Sequence, residues 1–173
     1  PSERVLKEGD IVSLDAGVYY KGFHTDAART YAVGKVSPEL QTLMEATEQS
    51  FYKGMLQARV GNRISDISHA VEEYIKPFGY GIVRDFTGHG VGFELHEDPA
   101  IPNYGKPGRG VRIQEGMTLA IEPMITLGSG DVEILSDGWT TVTRDGSYAA
   151  HYENTVAVVD GSPVILTAPD VSI

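Results

Sequence analysis

Four acids stand in runs of this chain that otherwise read as buried strand. Asp15 lies in SLDAGV, Asp26 in TDAART, Glu122 in TLAIEPMI and Glu153 in AHYENTVAVV. A carboxylate in such a run is costly to bury unless it is paired or bound to a cation. The fold must therefore bring these groups to a common partner or turn them out to solvent.

The first pair can be placed from local pattern alone. Lys21-Gly22 separates two β-leaning stretches, Asp10 to Val18 and Phe23 to Val33, and reads as a two-residue hairpin turn. Tyr20 then faces Phe23, Asp15 faces Ala28 and Asp26 faces Gly17. Side chains alternate with period two, so Asp15 and Asp26 share a face as diagonal neighbours, roughly 7–8 Å apart at Cα. Two carboxylates aimed at one spot repel each other unless a cation sits between them. The competing reading makes one a solvated turn acid and pairs the other with Arg29. Further along, GHGVG surrounds His89 with glycines that let backbones close up and leave the imidazole clear. His89 alone is better explained as a satisfied core histidine than as a ligand. Four strand carboxylates and one imidazole together offer hard oxygen donors and a nitrogen. That set suits paired divalent metals such as Mn, Fe or Co better than a structural zinc site.

The rest of the chain reads as one unit. Its 173 residues, 41 % hydrophobic, suffice for a single domain with a real core. A net charge of −10 without a Lys/Arg cluster argues against nucleic acid or an anionic membrane as partner. No apolar run approaches the ~18 residues of a membrane span. Cysteine is absent, which excludes thiol catalysis, thiolate metal sites and disulfides and fits the cytoplasm. The polar start, at Pro1 rather than Met, carries no signal-peptide pattern and reads as a trimmed chain. Ser37-Pro38 predicts a capped helix running to about Arg59, with Gly61 as its stop. A second helix is expected from Asp66 to Lys76, capped by Ser65 and ended by Pro77 and Gly79. Strands are expected at Tyr80–Val83, Met117–Ile125, Trp139–Thr143, His151–Val159 and Val164–Thr167. The fold class is α+β (mixed α/β).

DAG at Asp15, HTDAART at Asp26, GHGVG at His89, IEPM at Glu122 and HYENTVAV at Glu153 resemble, in order and spacing, the methionine aminopeptidases. The short interval from His89 to Glu122 is similar to the type I enzymes. The resemblance, which runs from about Pro1 to Thr167, implies the pita-bread fold and one metallopeptidase catalytic domain over residues 1–173. It implies two divalent ions (Co, Mn, Fe or Zn), one chelated by Asp15, the other by His89 and Glu122, with Asp26 and Glu153 bridging. It further implies a bridging hydroxide that attacks the scissile bond after an N-terminal methionine of a peptide or nascent chain. Glu122 would shuttle the proton, and His96 would contact the substrate carbonyl and stabilise the tetrahedral intermediate. Trp139 would lie near the methionine side chain. His96 can also be read as a loop histidine and Trp139 as core. His24, His69 and His151 match no catalytic position, although His24 and His151 flank ligands.

The family carries a segment ahead of its first Asp, with part of the methionine pocket and a further histidine; none of that is present in this sequence. An apolar patch and a sheet edge are therefore expected to lie open, with a homodimer as the outcome. Two other readings stand beside the first: a metal-binding but inactive fragment, and a related pita-bread peptidase of the aminopeptidase P or prolidase kind. A non-catalytic pita-bread binding protein fits less well, because such proteins lose ligands and gain basic surface.

Overall fold

Lys21 and Gly22 hold φ of 49° and 91°, the positive pair that a type I′ hairpin turn requires. They join β1 (Ile11–Tyr20) to β2 (Phe23–Ala32) in the expected register, with Tyr20 opposite Phe23, Asp15 opposite Ala28 and Gly17 opposite Asp26. The computed structural model describes residues 3–168, so the start at Pro1 lies outside the described range. Asp15 and Asp26 share the ribbon face that turns toward the rest of the chain. The other face presents Leu14, Val18, Tyr20, Phe23 and Tyr31, all exposed.

The helix α1 (Pro38–Met55) starts as Ser37-Pro38 predicts, with the Ser37 hydroxyl accepting from Leu40 N at 3.3 Å. It ends at Met55 rather than Arg59. From there Gln57 N bonds Gly54 O and Ala58 N bonds Met55 O, so the chain tightens into three-residue turns. The helix α2 (Ile64–Ile75) starts ahead of Ser65. Its first turn is closed by the Asp66 carboxylate on Arg63 N at 2.7 Å, while the Ser65 hydroxyl accepts from Arg109 N instead. Gly79, at φ 71°, closes a short 3₁₀ turn over Lys76–Phe78.

Ten short strands follow: β3 (Gly81–Ile82), β4 (Gly88–Gly90), β5 (Glu97–Ile101), β6 (Thr118–Ile121), β7 (Met124–Thr126), β8 (Val132–Ile134), β9 (Thr141–Thr143), β10 (Ala149–His151), β11 (Asn154–Val159) and β12 (Ser162–Ile165). One sheet has the order β12-β11-β6-β4-β5, a second β10-β7-β3, and β8 pairs with β9 as a separate hairpin. All these pairings are antiparallel. Helices cover the sheets with their apolar faces. Phe51, Ile64 and Ile67 pack on Leu119, Ile121, Val156 and Val158, and Leu40, Leu43 and Ile75 pack on Ile125 and Ala150. The architecture is α+β, as the sequence predicts.

Four expected strands differ from expectation, one of them simply by position, since β12 begins at Ser162 rather than Val164 and ends at Ile165 rather than Thr167. Met117–Ile125 is broken into β6 and β7, and His151–Val159 into β10 and β11. The register is the same on both sides of the gap, Ile121 opposite Asn154 and Met124 opposite His151. Glu122 therefore lies opposite Glu153, and Pro123 opposite Tyr152. Proline has no N–H for a ladder, and the Pro123 carbonyl instead accepts from Tyr152 N at 3.2 Å. Trp139 sits in the turn before β9, where the Asp137 carboxylate gathers the N–H groups of Trp139 and Thr140. The strands β4, β5 and β8 are too short and glycine- or acid-rich to show in the sequence pattern.

Candidate metal centre

The ribbon meets the sheets along a seam made largely by side chains. The Thr30 hydroxyl accepts from His151 N and donates to His151 O, both at 2.8 Å. Glu153 N donates to Ala28 O at 2.9 Å. The Thr155 hydroxyl accepts from Asp26 N at 2.8 Å and donates to Asp26 O at 2.9 Å. Asp26 is thereby laid beside Glu153. Arg29 does not form the carboxylate pair that the competing reading assigned to it; its guanidinium bonds main-chain carbonyls of Ala28 and Glu153.

His89 enters from β4, squeezed between β5 and β6. A Cβ on Gly88 would meet Ala120 O at 2.4 Å, and one on Gly90 would meet Asp98 O at 2.4 Å, so only glycine permits this approach. His89 lies opposite Ala120 and so is diagonal to Glu122. Its Nδ1 is 2.8 Å from Gly90 O. A carbonyl only accepts, so Nδ1 carries a proton, and in the neutral imidazole this leaves the Nε2 lone pair free for a cation, the arrangement seen in metal-bound histidines. That lone pair faces Glu122 Oε1 at 3.3 Å.

Three overlapping groups result, each with donor atoms within 4.8 Å of one another: Asp15, Asp26 and Glu153; His89, Glu122 and Glu153; Asp26, His89 and His96. They line a cavity of about 330 Å³. Glu153, 1 % exposed, has an Oε1 without a hydrogen-bond partner. Opposed acceptors and an orphaned buried carboxylate oxygen are what a site for divalent cations leaves when described by its protein atoms alone. The donor set fits hard or borderline cations.

The five sequence-predicted ligands thus converge. His96 joins them at the cavity, exposed, its ring 4.3 Å from that of His89. Trp139 is 88 % exposed at the tip of the β8–β9 hairpin and does not line this cavity. His151 stands behind the ligands, 3.5 Å from Glu122 Oε2 and 3.9 Å from Asp15 Oδ2. Asp85, Phe86 and Thr87 also line the cavity. The sequence marks them only by their place just before GHGVG. A larger cavity of about 840 Å³, walled by α2 and the start of β3, shares no residue with this one.

Comparison with known proteins matches residues 1–160 to metallopeptidase family M24. A methionine aminopeptidase of Clostridium acetobutylicum is 56 % identical over 95 % of this chain and 66 % of its own length. The crystal structure of a methionine aminopeptidase from Thermotoga maritima superposes with a TM-score of 0.93 at 48 % identity, covering 95 % of this chain and 66 % of that one. A prolidase from Pyrococcus furiosus superposes at 0.75 and 26 % identity, over 96 % of this chain and 44 % of its own. The chain spans about two thirds of the length of the curated relatives it matches.

Without cations the cluster distorts its own titration. Burial, and then the charges of Glu122, Asp26 and Asp15, push the Glu153 carboxyl up to about 9. Burial and the Asp15 charge also raise Asp26. A carboxyl raised in the folded state stays protonated there while its unfolded counterpart ionises, so the unfolded state binds fewer protons. Glu153's contribution to stability is complete below its ordinary 4.5 and is lost as pH rises toward about 9. Thermal unfolding of the metal-free chain across that window should show a midpoint that falls relative to Glu153→Gln. Parallel profiles would mean that Glu153 titrates normally.

Proposed function

The chain belongs to metallopeptidase family M24, and from that premise we propose that it hydrolyses N-terminal methionine from peptides and nascent chains, in the cytoplasm, at a centre of two divalent cations. Its fold is the pita-bread fold. The observation that carries the reading is the set of acceptors left facing one another, His89 Nε2 against Glu122 Oε1, with Glu153 Oε1 buried and unpartnered beside them.

Asp15 would hold one cation and His89 with Glu122 the other, and Asp26 and Glu153, whose carboxylates lie in the overlapping donor groups, would serve both. When bound, such cations would polarise the scissile carbonyl and lower the pKa of a water so that it could act as nucleophile at neutral pH. Glu122 takes up the proton that the attack releases and passes it to the leaving amine. His96 donates a hydrogen bond to the substrate carbonyl, an interaction that strengthens as negative charge develops there. The β8–β9 hairpin shares a neighbouring cavity with Asp85 and Phe86 through Val132 and Ile134, while Trp139 stands at its exposed tip, outside both cavities. The same donors accept Co, Mn, Fe or Zn, and cellular supply selects among them. A proline-directed peptidase is the second reading, favoured only by the lower likeness to prolidases.

Turnover of a Met-Ala-Ser peptide and of an Xaa-Pro dipeptide by the metal-loaded chain, with metal content measured alongside, separates these readings. Cleavage of the Xaa-Pro substrate alone would replace the first with the second, and metal binding without any turnover would leave a metal-binding fragment. Asp26→Asn and Glu153→Ala should each remove at least one cation equivalent in a calorimetric titration with Mn or Co. Full stoichiometry in both would sink the bridging assignment. In an active form of the enzyme, His96→Ala should keep the metals and lower kcat by about 10²-fold, with a smaller change in KM. An unchanged kcat would make His96 structural.

The bare ribbon face supports a homodimer. By register it carries Val12, Leu14, Ala16, Val18, Tyr20, Phe23, Thr25, Ala27, Arg29 and Tyr31, with no acid among them. Among the described residues β1 has no partner on its outer edge, so a second copy pairing about a two-fold axis would cover edge and face together. Light scattering should give twice the monomer mass; a monomer at high concentration would end the proposal.

A further inference from the structure

Alternation along β2 puts Arg29 on the outer ribbon face, opposite Leu14, where a charged side chain is expected to extend into water. Its guanidinium instead reaches around the strand edge. Nη1 donates to Ala28 O at 2.7 Å and to Glu153 O, and Nη2 donates to Asn154 Oδ1 at 2.6 Å. The guanidinium lies 4.2 Å over the Tyr152 ring. Each of these partners is itself held. Asn154 is buried, and its Oδ1 also accepts from the Thr167 hydroxyl at 2.9 Å. Tyr152 shares a hydroxyl bond with Tyr52 of α1 at 3.2 Å.

These contacts join two segments that no regular strand ladder connects: β2, which carries Asp26, and the gap between β10 and β11, which carries Glu153. From this geometry we propose that Arg29 is the positioning residue of the centre, setting Glu153 against Asp26 without touching substrate or cation. The proposal rests on the two-cation reading above. Its physical basis is the planar fork of the guanidinium. Two nitrogens with fixed relative directions lock the Glu153 carbonyl and the Asn154 amide at once, and the flat face stacks on Tyr152. An ammonium group on a flexible stem supplies the charge but neither the fork nor the stacking.

Partners that orient metal ligands typically contribute about 10- to 100-fold in metal affinity. The experiment uses the full chain with cobalt(II) as probe. Calorimetric titration and the visible absorption of bound cobalt are recorded for the unsubstituted protein, Arg29→Lys and Arg29→Met, together with the thermal midpoint of each metal-free form. Both variants should lose about 10- to 100-fold in affinity for the weaker-bound cation and show a shifted cobalt spectrum. Arg29→Lys keeps the charge and stem, so an unsubstituted-like spectrum and affinity in that variant overturn the proposal even where Arg29→Met fails to fold. A lowered midpoint with unchanged spectrum and affinities would assign Arg29 to folding alone and would also overturn it. If the unsubstituted chain takes fewer than two cobalt equivalents, the two-cation reading itself fails, and the proposal with it.

Discussion

Mutual repulsion among carboxylates is the constraint on which this structure turns. Asp15, Asp26, Glu122 and Glu153 are gathered around a space small enough for their oxygens to share a cation, and like charges at that separation oppose folding wherever nothing positive lies between them. The protein answers with backbone rigidity. Asp26, Glu122 and Glu153 are carried by segments held from both sides, while Asp15 stands on β1, which is bonded to β2 alone. The strain appears instead in titration, with Glu153 and Asp26 both raised.

The means of assembly differs between the two halves. In the ribbon, ordinary hairpin alternation aims Asp15 and Asp26 at one face. In the sheets, the strand pair β6–β11 passes into β7–β10 through a two-residue gap that keeps register, and Glu122 and Glu153 stand opposite each other in that gap. Pro123 takes the Tyr152 N–H on its carbonyl but has no N–H to return, while Glu153 directs its N–H to Ala28 of the ribbon. Reciprocal bonds from the Thr30 and Thr155 hydroxyls then tie the halves together. The helices contribute no ligand. They supply the apolar backing, Phe51 and Ile67 behind one sheet and Leu43 behind the other, that keeps the gap level.

Much of this was written locally. Lys21-Gly22 determined the hairpin and its register, Ser37-Pro38 the start of α1, and the odd placing of the four acids together with GHGVG marked the five side chains that converge. Those signals act between residues close in sequence, so a turn preference, a cap or a period of two suffices to read them. The fold class followed from the same periodicities. Tertiary structure decided what depends on distant neighbours. It broke two apparently continuous strands at Glu122 and Glu153, because whether a ladder continues depends on the strand across from it. It drew the Ser65 hydroxyl to Arg109 N, leaving Asp66 to close the first turn of α2 on Arg63 N. It brought Asp85, Phe86 and Thr87 to the cavity without any local mark, and set Trp139 on an exposed hairpin tip. It also took Arg29 from a presumed carboxylate partner to the carbonyl of Glu153. An alternating pattern fixes the face a side chain leaves from, but a long side chain's endpoint is chosen by the acceptors that folding brings within its reach.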